Sequence, residues 1–155
     1  MIFVKGNRMK LLQQRLATEL KSMSFQKACE LVARTLHRSV PHYNWVGIYL
    51  VQGQELILTA WDGPEATGHV RIPIGQGICG LAARERRTVI VDDVNKDPRY
   101  LACFPYTRSE IVVPIVKAGR VLGEIDIDSD TLSAFSAVDE TFLAEVAELL
   151  AERHA

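Results

Sequence analysis

Cysteines and acids carry the residues best suited to chemistry in this sequence. Cys103 lies in Tyr100-Leu101-Ala102-Cys103-Phe104-Pro105, a stretch without helix or strand periodicity. A loop thiol can be positioned to meet a small molecule, with a reactivity set by its thiolate fraction. It can equally be a small apolar filler, because free cysteine is among the most buried residue types. Cys79 follows two glycines at the start of a predicted helix. Unpaired amide N–H groups there favour negative charge, which predicts a lowered thiol pKa. Its run Cys79-Gly80-Leu81-Ala82-Ala83 suits close helix–sheet packing just as well. Taken singly, each thiol reads as packing. Together, 24 residues apart in loop-proximal segments, they form a candidate transient redox pair. Cys29, beside Phe25 and Val32 on a predicted helix, reads as core.

Asp126 and Asp128 stand at i and i+2 of an apolar run, so both face one side of a strand while Ile125 and Ile127 face the other. Two carboxylates on an interior-looking face are costly unless paired or bound to a ligand. Glu110 opens the preceding predicted strand, and a tight turn at Ala118-Gly119 brings it near residue 127, at the same end as both aspartates. Like charges gathered at that range raise at least one pKa and leave a protonated acid able to donate a hydrogen bond. The competing reading is that these strand ends meet solvent and the acids are merely hydrated. Trp45 and Tyr49 share a strand face with Trp61 nearby; they read as core aromatics that could line the same region. Gly75-x-Gly77-x-x-Gly80 matches a dinucleotide fingerprint in letters, but the βαβ context is missing. No Cys-x-x-Cys or His-x-x-x-His spacing occurs, which argues against a zinc site.

The elements that must hold these residues follow from the apolar period. Arg8 to Val40 reads as helical, with Ser24 as an internal N-cap and Phe25, Ala28, Val32 and Leu36 on one face. Pro41 ends the segment. Trp45 to Val51 and Glu55 to Ala60 form a predicted hairpin, followed by a loop and a short strand at Val70 to Ile74. A short helix over Ile78 to Arg86 precedes a strand at Thr88 to Val91. Asp92 to Arg108 is irregular, and irregular segments of this length in compact domains are often functional. Ser109 to Lys117 and Arg120 to Asp128 pair as a second hairpin, and Ala137 to Arg153 is a final helix begun by Ser136 and Asp139. Hairpins dominate, which predicts an α+β fold with a largely antiparallel sheet. Terminal helices would cover one face of it. The inserted helix and long loop would lie over the other, leaving a pocket between.

The 155 residues fit one domain: helices over 1–40, a sheet with its inserted helix over 44–128, and a C-terminal helix over 136–153. Eighteen basic against 19 acidic residues give a net charge of −1, which excludes the basic footprint of a general nucleic-acid binder and of an anionic-membrane surface protein. Met1-Ile2-Phe3-Val4 turns polar at Lys5, too soon for a signal-peptide core, and no apolar run approaches spanning length. The expected address is the cytoplasm. An odd count of three cysteines makes a poor disulfide framework.

Several of these stretches resemble the GAF domain family, and within it the free methionine-(R)-sulfoxide reductase branch. They are VRIPIGQGICG from Val70 to Gly80, the run from Leu101 to Pro114 ending in SEIVVP, the strand Asn44 to Tyr49, and Gly123 to Ser129. The resemblance implies a GAF-like, PAS-related sheet of six antiparallel strands flanked by helices, in a homodimer. It implies a small pocket that accepts free methionine sulfoxide. By position, Cys103 matches the catalytic cysteine, Glu110, Asp126 and Asp128 match substrate-binding acids, and Trp45 and Tyr49 would lie by the pocket. Cys79 matches a further family cysteine. One departure stands out: three-cysteine members carry a cysteine directly before the VRIP strand, which commonly forms the disulfide with the catalytic one, and here that position is His69. Either Cys79 resolves, or an external thiol does, or activity has been lost.

The chemistry so implied starts with acids that bind the substrate ammonium and polarise the sulfoxide. Cys103 then attacks sulfur to give a sulfenic acid, Cys79 closes a disulfide, and a thioredoxin-type reductant reopens it. It requires no metal or organic cofactor. The alternative is a non-catalytic GAF module that binds a small molecule and signals through a partner; a plain dimerisation unit ranks third.

Overall fold

Strand pairing sets the architecture, because each hairpin foreseen in the sequence closes and the two hairpins join edge to edge. The computed structural model describes residues 2–155; Met1, where the predicted N-terminal region begins, lies outside the described residues, and side chains are described from Val4 onward. In chain order the elements are α1 (Ile2–Glu19), a 3-10 turn, α2 (Phe25–Ser39), β1 (Trp45–Gln52), β2 (Glu55–Asp62), β3 (Arg71–Pro73) and α3 (Gly77–Glu85). There follow β4 (Val89–Val91), a second 3-10 turn, β5 (Ser109–Lys117), β6 (Arg120–Ser129) and α4 (Ala137–Arg153). The strands form one antiparallel sheet in the order β3-β2-β1-β6-β5-β4. No described helix is long and apolar enough to cross a membrane.

The two faces of the sheet bury different chemistry. Val46 and Ile48 of β1, Ile111 and Val113 of β5, and Ile125 and Ile127 of β6 face α2 and α4 in one apolar core. Trp45, Tyr49 and Val112 face the other way, under α3 and the β4–β5 loop. Both faces are buried, so the acids on β6 do not meet solvent at a strand end.

Local signals account for most boundaries. Ser24 caps α2 by accepting from Lys27 N at 3.4 Å, a cap typically worth about 1 kcal/mol. Ala118 (φ 51°) and Gly119 (φ 76°) form the tight β5–β6 turn, where both positions must be left-handed. The helix α1 begins at Ile2, not at Arg8 as the periodicity predicts. Its start has no strong local signal and is held by docking: Lys5 Nζ reaches Asp139 of α4 at 2.8 Å. Asp139 also accepts from Ser136 N (2.8 Å) and the Tyr43 hydroxyl (2.8 Å), and pairs with His42 Nε2 (2.7 Å). Burial raises its pKa, but these hydrogen bonds, from His42 and Lys5 foremost, outweigh burial and hold it well below the ordinary carboxylate range.

The glycine-rich turn before α3 packs backbone on backbone. A Cβ on Gly80 would stand 2.8 Å from Gly75 N and Pro73 O, and Gly75 N already donates to Gly80 O at 2.9 Å. These glycines allow helix and turn to touch, which explains the fingerprint-like letters without a nucleotide.

Candidate active site

Register brings the acids together. Along β6, Glu124, Asp126 and Asp128 alternate onto the α3 face, opposite Tyr49, Gly47 and Trp45 of β1 respectively. On the other side, Glu110 of β5 pairs directly with Asp128. The tight turn alone predicts residue 127 as its partner. An irregularity between Ile115 and Val116 shifts the register by one, and that shift places Glu110 on the same face as the aspartates. Gly47 is required here because a Cβ would overlap the Trp45 ring, so the indole lies flat across Gly47.

All four acids are buried, with Glu110 4% exposed, Asp126 and Asp128 1%, and Glu124 0%. Six of their carboxyl oxygens have no protein hydrogen-bond partner: one each on Glu110 and Asp126, both on Glu124 and both on Asp128. Burial raises every one of these pKa values, and for Glu110, Glu124 and Asp128 repulsion from neighbouring carboxylates adds to it. Glu110 is pushed well above the carboxylate range by burial, then by the charges of Asp126 and Asp128. Glu124 and Asp128 are pushed well up by burial and by Asp126. Asp126 is raised by burial but partly held down by hydrogen bonds with Glu110 and Cys79, so it carries the charge most readily. Each raised pKa favours the protonated acid, which can donate a hydrogen bond, and an incoming cation would favour the ionised one.

Both candidate thiols face this nest. Cys79, Cys103, Glu110 and Asp126 line one small cavity of about 10 Å³, with Ile72, Gln76, Gly77, Ile78 and Leu101, which is room for roughly one water molecule. The Cys79 sulfur and oxygens of Glu110 and Asp126 lie within 4.8 Å of one another. The lowered pKa expected for Cys79 is overturned. Burial and the charges of Asp126, Glu124 and Glu110 push its thiol well up, and they outweigh the helix terminus. Cys103, half-buried in its loop, is pushed up to about 12 by burial and by Asp126 and Asp128. At neutral pH both sulfurs are neutral thiols. Cys29 sits in the opposite core, as predicted.

Aromatic and loop residues roof the site. Trp45 donates from Nε1 to Glu65 O at 3.1 Å and packs against Phe104 at 5.6 Å between ring centroids. Tyr49 donates to His69 O at 2.8 Å, its hydroxyl raised by burial and by the charges of Asp126, Cys79 and Cys103. Trp45, Tyr49, Glu124 and Asp128 do not line the cavity. Trp61 stacks on Trp45 from outside and is 41% exposed. His69 bonds through Nε2 to Ala102 O at 3.1 Å, beside Cys103. Leu101 closes the cavity over Gly77, where a Cβ would stand 2.8 Å from the leucine side chain.

The profile of the GAF domain matches residues 24–153. The chain belongs to the GAF domain family. Among related GAF proteins, GAF domain-containing protein A of Dictyostelium discoideum is 43% identical over 110 residues, covering 70% of this chain and 68% of that one. The free methionine-R-sulfoxide reductase of Saccharomyces cerevisiae is 44% identical over 111 residues, covering 69% of this chain and 61% of that one. The X-ray structure of free methionine-R-sulfoxide reductase from Neisseria meningitidis, in complex with its substrate, superposes with a TM-score of 0.90 at 34% identity, covering 96% of this chain and 89% of that one.

Two features of this GAF site escape the sequence reading. Glu124 shares the strand parity of Asp126 and Asp128, a signal present in the letters Glu124-Ile125-Asp126-Ile127-Asp128. Tyr100 descends from the loop with a buried, unpartnered hydroxyl, close enough to Asp128 and Glu110 for their charges to raise its pKa. Only the irregular segment's aromatic content hinted at it.

Proposed function

We propose that this GAF domain reduces free methionine-R-sulfoxide to methionine, with Cys103 as nucleophile and Cys79 as resolving thiol. The observation that carries the reading is a buried nest of four acids with six unpartnered oxygens; two of the acids, Glu110 and Asp126, share one cavity with two thiols. Structure rarely leaves buried polar atoms unmatched, since each costs about 1–3 kcal/mol. A ligand with an ammonium group and a polarised oxygen would match them. The relatives named as reductases act on such a molecule.

Substrate entry requires the β4–β5 loop to lift, because roughly 300–1,000 Å³ is usual for a small-molecule pocket and Leu101 seals this one. The substrate ammonium would then lie against Asp126 and Asp128, and its charge would relieve the repulsion that keeps Cys103 neutral. Glu110, the protonated partner of Asp126, donates to the sulfoxide oxygen. As Cys103 attacks the sulfoxide sulfur, its own thiol proton passes to Asp126, which lines the same cavity; the sulfoxide S–O bond breaks, and the oxygen with the proton from Glu110 ends on the Cys103 sulfur as a sulfenic acid. The sulfoxide sulfur has gained two electrons to give methionine, and the Cys103 sulfur has lost them. Cys79 then attacks, a disulfide forms and water leaves. Two thiol exchanges with a thioredoxin-type dithiol restore both cysteines. The place of His69 beside Cys103 supports Cys79 as the remaining thiol in reach.

A coupled assay tests the reading. NADPH oxidation with thioredoxin, its reductase and free methionine-R-sulfoxide is expected, with no turnover of the S epimer. Ligand binding without turnover would instead make this GAF domain a binding module, which the sealed cavity and neutral thiols also suit.

A further inference from the structure

The thiol of Cys79 and the carboxyls of Glu110 and Asp126 converge from α3, β5 and β6. Their ligand atoms lie within 4.8 Å of one another. A tetrahedral zinc with Zn–S of about 2.3 Å and Zn–O of about 2.0 Å separates its ligand atoms by about 3.3–3.5 Å. Closing that difference takes at most about 1.5 Å, within the reach of small χ rotations. Two further observations point to a cation. Glu110 Oε2 and Asp126 Oδ1 have no protein partner, although both side chains are more than nine-tenths buried at the cavity wall. The cavity itself, about 10 Å³, has room for an ion or a water and for nothing larger while Leu101 is seated.

We propose that Cys79, Glu110 and Asp126 form a binding site for one zinc ion, with water as the fourth ligand. The donor set selects for it. A thiolate favours borderline and soft ions, which disfavours magnesium and calcium, and two carboxylates with one sulfur suit Zn²⁺. Binding forms one Zn–S and two Zn–O bonds, while the thiol proton and any proton on the two carboxyls leave to solvent. No Cys-x-x-Cys spacing announces this site, because strand pairing assembles it and local sequence does not. The ion would tie up Cys79, Glu110 and Asp126 at once. If the reductase reading holds, zinc and substrate exclude each other; the ion binding does not depend on that reading.

Cobalt(II) serves as the spectroscopic probe for zinc. Titration of the reduced chain should give one equivalent bound, with a thiolate-to-cobalt charge-transfer band that zinc bleaches. Cys79→Ser should abolish the band, and Glu110→Gln and Asp126→Asn should each weaken binding by about tenfold or more. Cys103→Ser and Cys29→Ser should keep it. X-ray absorption of the zinc-loaded unmodified chain needs no variant, and should show one sulfur and otherwise oxygen neighbours. A band that survives Cys79→Ser, one lost only in Cys103→Ser, or imidazole scattering around zinc would overturn the proposal. So would the absence of any band. None of these readouts needs turnover, so they stand apart from the sulfoxide assay.

Discussion

Asp139 and the Glu110–Glu124–Asp126–Asp128 nest are both carboxyls hidden from water, and their surroundings are opposite. Asp139 ties α1 and the residues before β1 to the start of α4 through Lys5, His42, Tyr43 and Ser136, and is held ionised. The nest is crowded with like groups, leaves six oxygens unmatched, and has its pKa values raised by burial and repulsion. A buried charge that serves the fold is fully paired; one that serves a ligand is left short of partners. Here the same residue type does both jobs, about as deeply buried in each.

Substitution should pull the two regions apart. Asp126→Asn is expected to lower sulfoxide reduction by about 10²–10³-fold, as loss of a positioned electrostatic group does. Its stability at neutral pH should stay level or rise, because one source of repulsion is gone. Asp139→Ala should do the reverse. We expect about 3 kcal/mol of stability lost, the low end for a broken buried pair because Lys5 and His42 keep some water contact. The rate per folded molecule should be unchanged. Chemical denaturation and steady-state rates on both variants check the pair; a large stability loss in Asp126→Asn would erase the distinction.

The pH dependence of stability carries the same contrast with opposite signs. Asp139, with a lowered folded pKa, contributes stability that is present above its unfolded value of about 4 and fades as pH falls through the folded one. The nest, with raised folded pKa values, contributes stability that is full below about 4 and fades as pH rises through the folded ones. Glu110→Gln with Asp128→Asn should therefore flatten the loss on the rising side and leave the acid limb untouched. Denaturation midpoints across pH 3–9 would settle this, and an unchanged rising side would contradict the assignment. The smallest effect belongs to the backbone near the nest. Gly47→Ala must displace the Trp45 ring, at about 1–3 kcal/mol for an overpacked core, with quenching or shift of tryptophan fluorescence.

Much of this was legible in the residues. Strand periodicity marks β5 and β6 almost to their ends, the Ser136–Asp139 cap and the apolar helical stripe mark α4, and the i, i+2 spacing puts Asp126 and Asp128 on one face. The pairing of Glu110 missed by one residue because an irregularity at Ile115/Val116 leaves no mark in composition. The direction of the Cys79 shift was missed for a different reason. A helix start is a local feature, whereas the burial and the three acids that override it come from β5 and β6 and exist only after folding. Glu124 was available by parity and overlooked. Tyr100 and the sealing role of Leu101 lie in an irregular loop, where no period says which way a side chain turns.

The most direct measurement uses one turnover and no external reductant. Reduced chain is mixed with excess free methionine-R-sulfoxide, methionine is counted, and the thiols are mapped by mass spectrometry. The account predicts one methionine per chain, with Cys79 and Cys103 joined and Cys29 free, and none from Cys103→Ser. Methionine formed equally by Cys103→Ser, or a chain that binds the sulfoxide and returns it unchanged, would contradict it.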